Sequence, residues 1–389
     1  MKKNNKGFTL IELLAIIVIL AIIAVITVPI ILNIIENSRK GAAVDSAYGY
    51  KDAVSKYYVS QMLDNPDLKL SGDYKINKNG KLEDESGEEH SVATSGTLPS
   101  NGYITIENNE IIGGCLTIND YKVDLNDKDA TATKGKCEFL EAGTEILFDP
   151  GSNVGEDTIG KCVTATDTCM TWYVLNDHGS KVDLLLDHDT TALLNWISQT
   201  DYEKEINAET IKNEYGITYQ NNIVPTYEWN GGNHAKGPLT ALKQLDDDTK
   251  YWSDSLKRND GYSVSFTNIA SQSINYTIDY TGYKARMVKA EEIADITGVS
   301  KSTEEGGKGF DIENKLQSDV SIDPKYDWIY SNTGVNNGGY WTSSAAAYGP
   351  SIAVVIFTPG KLSTISGGVT NKSGVRPVIT VSKSLLSQE

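Results

Sequence analysis

The chain is short of positive charge. Its 35 Lys and Arg residues stand against 52 Asp and Glu residues, which gives a formal net charge of −17 over 389 residues. The imbalance is uneven, because residues 1–40 carry +3 and the rest of the chain carries −20. A body this acidic repels phosphate backbones. We therefore expect no nucleic-acid binding by the acidic bulk of the protein.

Cysteine is scarce as well, and no pair has the C-x-x-C spacing. The four are Cys115, Cys137, Cys162 and Cys169, and their spacings do not suit the usual structural zinc sites. In an exported chain an even number favours two disulfides, most simply Cys115–Cys137 and Cys162–Cys169. Four cysteines allow three pairings, and buried free thiols are the alternative.

Histidine is limited to four scattered residues, and the sequence shows no pairing of a nucleophile with a base. Asp187-His188-Asp189 resembles a metal or general-base cluster. Consecutive residues on a strand alternate faces, so the three side chains do not converge easily. We interpret them as a solvated turn after a buried strand at Val182–Leu186. The sequence therefore predicts no enzyme.

Acidic runs offer further candidate metal ligands. Oxygen ligands for calcium are present in Asp246-Asp247-Asp248 and in the group Asp124, Asn126, Asp127 and Asp129. Neither run has the EF-hand pattern, and acidic runs are usually solvated. We predict no metal and no other cofactor, with calcium as the alternative.

One long apolar run interrupts this polar sequence. It covers residues 8–32, which is enough for a membrane-spanning helix of about 20 residues. Lys2, Lys3 and Lys6 precede it, so the positive-inside rule keeps the N-terminus cytoplasmic and exports the rest. The run is too long for an ordinary secretory signal, and no convincing cleavage site follows it. A plain anchor does not explain Glu12, since a charge in the membrane costs about 2.5–3.5 kcal/mol.

The sequence KGFTLIEL at residues 6–13 resembles the prepilin signature of type IV pilins and related pseudopilins. A basic leader, Gly7 before the cut, Phe8 after it and Glu12 all match. The resemblance implies cleavage between Gly7 and Phe8 by a prepilin peptidase, and N-methylation of Phe8. A Glu12 carboxylate would meet the Phe8 ammonium of a neighbouring subunit during assembly, because either charge alone is costly when desolvated.

Pro29 fits the same family pattern, in which a proline at this depth marks a bend and often a stretch that melts during assembly. The alternative is that Pro29 ends the membrane segment. Beyond it, apolar residues recur at helical spacing on one face. They are Ala43, Ala47, Tyr50, Val54 and Tyr57. We predict one long helix from Phe8 to about Leu63, apolar all round in its first half and amphipathic in its second.

The predicted organisation is a leader at 1–7, the helix at 8–63, a small pilin-like β head at 64–145 and a larger C-terminal domain at 146–389. Short alternating runs joined by Asn, Asp and Gly turns predict antiparallel strands in the head. The fold class is therefore α+β, with a long helix packed on a small antiparallel sheet and an irregular mixed domain after it.

The C-terminal region resembles C-type-lectin-like domains related to formylglycine-generating enzymes. The resemblance lies in an Arg286 strand, a short helix with paired Glu, the strand Gly339–Ser344 and the closing strand Gly374–Ile379. It covers about residues 150–385. The enzymatic members use reactive cysteines in the C-terminal half, and this chain has none after Cys169. The resemblance therefore implies a scaffold that displays variable loops rather than an enzyme.

Two arginines and one tryptophan can each be interpreted either as ligand contacts or as structural residues. Arg286 and Arg376 either anchor an anionic ligand or, as we favour, pair internally with carboxylates such as Glu291 or Glu292. Trp229 lies in the Gly- and Asn-rich loop YEWNGGNH. It either contacts a ligand together with Asn230 and Asn233 or, as we favour, packs and fixes the loop.

These observations predict a structural subunit of a type IV pilus-like filament, with a minor or tip subunit carrying an adhesive or recognition domain favoured. Its partners would be other pilin subunits through the helix, the prepilin peptidase and methyltransferase, the membrane before assembly, and a glycan or protein receptor. It would be a single-pass precursor in the cytoplasmic membrane and then part of an extracellular filament. The alternatives are a pseudopilin of a type II secretion or DNA-uptake system and a membrane-anchored ectoenzyme.

Overall fold

The structure is a computed structural model with two compact units. Unit 1 comprises Met1–Glu138 and unit 2 comprises Phe139–Glu389. The residues it describes are 10–66, 70–83, 89–94, 96–126, 128–155, 157–189, 193–201, 217–219, 237–267, 273–297, 324–330, 339–345, 352–357, 361–366 and 372–386.

Unit 1 begins with a single helix, α1, at Leu10–Asp64. The predicted end near Leu63 is therefore confirmed. Its second half buries a stripe composed of Ala43, Ala47, Tyr50, Ala53, Val54 and Tyr58. Tyr57, which we expected in this stripe, is only half-buried. The reason is that a step of four residues from Val54 stays on the buried face of the helix, which places Tyr58 there.

A seven-stranded antiparallel sheet follows, in the order β3-β2-β1-β4-β5-β6-β7. Its strands are β1 (Gly72–Ile76), β2 (Leu82–Glu83), β3 (Glu89–His90), β4 (Asn101–Glu107), β5 (Glu110–Ile118), β6 (Tyr121–Leu125) and β7 (Ala130–Lys134). Asn108-Asn109 and Asn119-Asp120 turn the chain between β4, β5 and β6, and all four have positive φ. Two-residue hairpins need this conformation, which Asn and Asp tolerate.

The core of unit 1 lies between α1 and one face of this sheet. Alternate residues of β4 are buried, among them Ile104 and Ile106, and they belong to the same cluster as the α1 stripe. The Tyr50 hydroxyl spans the core and donates to the carbonyl oxygen of Gly80 at 2.9 Å. Burial raises the pKa of Tyr50, so the phenol stays a neutral donor.

Cys115 and Cys137 form a disulfide, with their Cα atoms 6.0 Å apart. Both are buried. The backbone N–H of Cys137 donates to Thr117 Oγ1 at 2.9 Å, and Asn101 Nδ2 donates to the Cys137 carbonyl at 2.9 Å. The segment after β7 is therefore fastened to β4 and β5 by one covalent bond and two hydrogen bonds.

Unit 2 is built on a six-stranded sheet in the order β15-β19-β11-β10-β8-β9. Its strands are β8 (Glu145–Asp149), β9 (Gly160–Lys161), β10 (Met170–Asp177), β11 (Lys181–Leu186), β15 (Arg286–Met287) and β19 (Pro377–Ser382). The strand pairs within it are antiparallel. All residues of β11 after Lys181 are buried, which confirms the strand predicted at Val182–Leu186.

Two three-stranded antiparallel sheets, three short α-helices, and 3-10 turns at Asp254–Leu256, Pro324–Tyr326 and Lys383–Leu386 also belong to the described part of unit 2. One sheet has the order β12-β14-β13 and the other β16-β17-β18. Their strands are β12 (Ile217–Tyr219), β13 (Gly261–Thr267), β14 (Ser273–Asp279), β16 (Tyr340–Ala345), β17 (Ile352–Phe357) and β18 (Lys361–Ser366). The helices are α2 (Leu239–Thr249), α3 (Ala290–Thr297) and α4 (Asp327–Tyr330). The predicted α+β class, with antiparallel sheets after a long helix, is confirmed.

Three tryptophans are fully buried in the core of unit 2, and each indole N–H has a carbonyl acceptor. Trp172 donates to Phe148, Trp196 to Thr342, and Trp341 to Leu194, at 3.0, 2.8 and 2.8 Å. A buried indole without such an acceptor would be costly. These bonds join β8, β16 and the segment around residue 195 to the core.

Candidate assembly site

The first part of α1 leaves its apolar side chains exposed. The exposed fraction of the large apolar residues ranges from 42% to 82% between Leu10 and Ile35. One 18-residue window has a mean hydropathy of 3.3, and no part of it is buried within the chain. By length and composition this stretch can cross a membrane. An exposed apolar patch of this size marks a surface that contacts lipid or protein.

Glu12 lies in the first turn of α1 as the structure describes it. It is the only charged residue between Leu10 and Ile35. Gly7 and Phe8 lie outside the described residues. The pairing of Glu12 with a neighbouring Phe8 amine therefore remains a prediction.

Pro29 does not end the helix, which continues for 35 residues to Asp64. Proline has no backbone N–H, so the carbonyl of Val25 loses its usual helical donor. Close by, the Thr27 hydroxyl donates to the Ile23 carbonyl at 2.8 Å. Residues 25–31 are also all β-branched apart from Pro29, and β-branched residues have low helix propensity. The β-branched residues therefore add to the loss of helix stability that Pro29 causes in this part of α1.

The exposed stretch meets the folded part of unit 1 at Glu36. Tyr121, in β6, donates its hydroxyl to Glu36 Oε2 at 2.8 Å. Lys40 Nζ lies 4.0 Å from the other oxygen of Glu36. The hydrogen bond to Glu36 raises the pKa of Tyr121. This contact fixes the point at which α1 leaves the sheet, and the sequence analysis missed it because the two residues are 85 positions apart.

The cluster Asp187-His188-Asp189 is less solvated than we expected. Asp187 and His188 contact each other and are half-buried, while Asp189 is only 8% exposed. Its carboxylate lies against Gly374, where a Cβ would come within 2.0 Å of Oδ2. The predicted turn after the strand is therefore less solvated than expected, because Gly374, far away in the sequence, leaves room to cover Asp189.

The carboxylates of the two acidic runs contact different side chains. Asp247 accepts from Lys250 Nζ and Asp248 from Gln244 Nε2, both at 3.0 Å. Burial raises the pKa of Asp246. Asp124 lies 3.1 Å from Lys122 Nζ, and Asp127 is outside the described residues. Within the described ranges, no three His, Cys, Asp or Glu side chains come together in a way that could hold a metal ion.

Arg286 pairs internally, as favoured. It donates to Glu292 Oε2 at 2.8 Å from Nη1 and to Asp183 Oδ2 at 2.8 Å from Nη2. Glu292 was expected as a partner and Asp183 was missed. A charged residue inside the apolar run Val182–Leu186 was the available signal, because a buried carboxylate requires a compensating partner.

Arg376 is also structural, but its predicted carboxylate partner is wrong. It is fully buried and donates from Nε to the Leu186 carbonyl at 2.6 Å and from Nη1 to the Ile329 carbonyl at 2.9 Å. Its guanidinium lies 4.8 Å from the centre of the Tyr340 ring. Backbone carbonyls and an aromatic face replace the carboxylate, because five donors on a planar group can serve several acceptors at once.

The second disulfide joins Cys162 to Cys169. Between them, Thr166 Oγ1 accepts from the Cys169 N–H at 2.9 Å, while the Cys162 N–H donates to the Leu147 carbonyl at 3.1 Å. This loop is therefore held to β8 on one side and closed covalently on the other. Trp229, Asn230 and Asn233 lie outside the described residues.

Residues 2–28 match the family model described as the prokaryotic N-terminal methylation motif. The chain carries this motif. No curated protein and no solved structure matches the chain. The motif supports a type IV pilin-like or pseudopilin subunit that is processed by a prepilin peptidase and assembles with other pilins. With the apolar part of α1, it fits a membrane-anchored precursor that becomes part of a surface filament. It suggests a structural rather than an enzymatic protein.

Proposed function

We propose that the protein is a minor or tip subunit of a type IV pilus-like filament, and that unit 2 is its recognition part. The observation that carries this proposal is the 26-residue stretch of α1 from Leu10 to Ile35, which is exposed and apolar in a chain that begins with the methylation motif. Such a stretch needs lipid before assembly and neighbouring helices afterwards. Cleavage would occur between Gly7 and Phe8, with N-methylation of Phe8.

Size and charge support a minor rather than a major subunit. Removal of residues 1–7 leaves 382 residues and takes Lys2, Lys3 and Lys6 away, so the side chains of the mature chain carry −20. Bodies of like charge repel when packed closely, although salt screens much of this beyond about 8 Å at physiological ionic strength. Mixing the chain with less acidic subunits avoids that repulsion.

Unit 2 has the features of a display scaffold. Its sheet and core are tied together by buried tryptophans and by Arg286 and Arg376, which would hold a rigid scaffold for recognition. The resemblance to C-type-lectin-like domains belongs to this proposal, and so does a glycan or protein receptor. Trp229, Asn230 and Asn233 are the proposed ligand contacts. The domain limits at 63, 145 and 389 are proposed on the same basis.

The decisive experiment on processing is mass spectrometry of the N-terminus of the protein recovered from its own cells. We expect a mature chain that starts at a methylated Phe8. An intact Met1, or a cut after the apolar stretch, would contradict the proposal, because either result is incompatible with a prepilin substrate.

Assembly is tested with Glu12→Val, which keeps the helix apolar and removes the carboxylate. We expect normal amounts of membrane-bound precursor and loss of the protein from sheared filaments, because the Phe8 ammonium of a neighbour would lack its partner. Leu13→Val is the matched control, since it alters the same turn without changing charge, and should assemble normally. Equal incorporation of Glu12→Val and wild type would show that Glu12 has no pairing role. Immunogold labelling then distinguishes sparse or terminal label, expected here, from label along whole filaments.

A further inference from the structure

Four basic residues of unit 1 lie near the point where the apolar stretch of α1 leaves the sheet. They are Arg39 and Lys40 in α1, Lys134 at the end of β7, and Lys136 just after it. Arg39, Lys134 and Lys136 are exposed, and Lys40 is half-buried. A local excess of positive charge is unexpected in a chain whose net charge is −17. We call these four residues the basic end of unit 1.

The register of the sheet brings the two elements of the basic end together. Lys134 is paired directly with Tyr121 across β6 and β7, and directly paired residues point to the same side of a sheet. That side faces α1, because Tyr121 packs in the core with the α1 stripe and its hydroxyl donates to Glu36. The positive charge of Arg39 is close enough to oppose the rise in the pKa of Tyr121. Lys134 and Arg39 therefore both lie beside Tyr121.

The segment that carries Lys136 is held on both sides. The backbone N–H of Gly135 donates to the Asp120 carbonyl at 2.9 Å. On the other side, Cys137 is fixed by its disulfide to Cys115. The basic end is therefore built on anchored backbone, and its lysines keep their place relative to α1.

Two acids lie in the same region, and they leave the basic end with a net positive charge. Glu36 accepts from Tyr121 and lies 4.0 Å from Lys40, while Asp120 is exposed in the turn between β5 and β6. Four basic and two acidic side chains give a local charge of +2. In the described part of the chain, Arg39, Lys134 and Lys136 form no ion pair. Their charges are therefore directed to the surroundings of the protein.

The length of the apolar stretch places the basic end at the surface of the membrane. Leu10–Ile35 has 26 residues, which span about 39 Å as a helix at 1.5 Å per residue. A bilayer with its headgroups is about 40–45 Å thick. Arg39 follows Ile35 by one helical turn, so it emerges among the headgroups of the outer leaflet. The bond between Tyr121 and Glu36 holds the neighbouring end of the sheet at the same depth.

Membrane orientation does not account for these charges. The positive-inside rule favours Lys and Arg on the cytoplasmic side, whereas the basic end lies on the exported side. Anionic headgroups attract basic residues close to the bilayer surface. The rest of the exported chain is acidic and is repelled by the same headgroups.

We propose that the basic end of unit 1 binds the phosphate groups of anionic phospholipids in the outer leaflet while the precursor is in the membrane. The folded head then rests on the bilayer through one defined surface, with its acidic parts turned away. This inference goes beyond the proposed function, because it needs the membrane-anchored precursor and not a particular place in a filament.

The test measures the reactivity of single lysines in the full-length wild-type protein. The protein is placed in lipid nanodiscs made of phosphatidylcholine alone or of phosphatidylcholine mixed with phosphatidylglycerol, and is then acylated with an amine-reactive ester. Mass spectrometry gives the extent of acylation at each lysine. Lys128 is the internal control, since it is exposed and precedes the other end of β7, up to about 20 Å from Lys134 at 3.3 Å per residue.

Acylation of Lys134 and Lys136 should be about fivefold slower in the discs with phosphatidylglycerol, the change expected from one basic side chain at an anionic surface. Lys128 should react equally in both kinds of disc. High salt should remove the difference, because it screens charges that face water.

A pair of charge-reversal variants separates direct contact from the general potential of the membrane. Lys134→Glu should restore the reactivity of Lys136 in the anionic discs, because the contact loses one positive charge and gains a negative one. Lys128→Glu makes the same change of charge in the same unit and should leave Lys136 protected. Protection of Lys136 in Lys134→Glu as strong as in wild type would overturn the inference.

The wild-type measurement decides without any variant. Equal acylation of Lys134 and Lys136 in both kinds of disc would overturn the inference and leave the proposed function standing, since processing and assembly do not depend on this contact. Protection that appears only when several chains share one disc would also overturn it, because the acidic body of a second copy would then be the occupant. A chain that does not insert into the discs would contradict the membrane-anchored precursor, and with it both proposals.

Discussion

Arg286 and Asp183 form a buried ion pair across 103 residues of sequence. Nη2 of Arg286 donates to Oδ2 of Asp183 at 2.8 Å, and both side chains are less than a tenth exposed. The pair joins β15 to β11, which do not neighbour each other in the sheet because β19 lies between them. A charge pair here replaces backbone hydrogen bonding as the direct link between these strands.

Asp183→Asn should therefore destabilise unit 2 strongly. The substitution keeps the shape but removes one of the two carboxylates that compensate Arg286, the other being Glu292, and breaking a buried pair in this way costs about 3 kcal/mol. All six tryptophans lie in unit 2, so urea unfolding followed by tryptophan fluorescence reports on this unit. Asp247→Asn is the control: its carboxylate pairs with Lys250, both side chains are exposed, and we expect little effect. Equal loss in both variants would contradict the buried-pair explanation.

The same pair predicts how unit 2 responds to acid. Burial by itself would raise the pKa of Asp183, but the positive charge of Arg286 and the contact with His178 outweigh it and hold the pKa well below its usual range. The stabilisation is thus fully present above the unfolded pKa of about 3.9, and is lost as the pH falls through the lower native pKa. Thermal unfolding of wild type should become steeply pH-dependent below about pH 5. Asp183→Asn should show a shallower dependence, and identical slopes would exclude Asp183 as the cause.

Arg376→Lys should also destabilise unit 2, although it preserves the charge. Lysine cannot donate to Leu186 and Ile329 at once with the fixed geometry of a guanidinium, and a buried acceptor left without a donor costs about 1–3 kcal/mol. We expect a loss of about 2–4 kcal/mol by tryptophan fluorescence. Lys372→Ala, at an exposed position four residues earlier, is the control. If Arg376→Lys were neutral, the hydrogen bonds to the two carbonyls would not be needed for stability.

The two disulfides should differ in their effect. Cys115–Cys137 closes a loop of 22 residues and Cys162–Cys169 one of 7. On the loop-entropy model, these correspond to about 3 and about 2 kcal/mol. Replacing Cys115 and Cys137 by serine should therefore destabilise unit 1 more than replacing Cys162 and Cys169 by serine destabilises unit 2. Amide hydrogen exchange distinguishes the two effects, because exchange in β4 and β5 reports on the Cys115–Cys137 disulfide and exchange in β8 reports on the Cys162–Cys169 disulfide. A greater loss in β8 would contradict the model.

The sequence predicts the parts of this fold that depend on local pattern. The apolar run and the three- and four-residue spacing define α1 almost to its last residue, and Asn108-Asn109 and Asn119-Asp120 define two hairpins. Both cysteine pairs close short loops, so the simplest pairing is also the one present. Glu12 stands out within the candidate site for the same reason, as the one charge in an apolar run.

Long-range relationships could not be predicted in this way. Nothing near Glu36 indicates that Tyr121 will bind it, and nothing near Asp189 indicates that Gly374 will cover it. The partners of Arg376 are carbonyls, which every residue carries, so side-chain types alone pointed wrongly to a carboxylate.

The position of β19 has a consequence for the making of the protein. This strand is the latest in chain order among the described strands, yet it lies inside the six-stranded sheet, paired with β11 from Lys181–Ser382 to Leu185–Val378. Export begins at the anchored N-terminus, so the centre of the sheet stays incomplete until almost the whole chain has crossed. Such late closure over nearly 200 residues is slow and exposes apolar surface. Unit 1 can fold while translocation continues, whereas the six-stranded sheet of unit 2 must wait for β19, so export itself sets the earliest time at which this sheet can form.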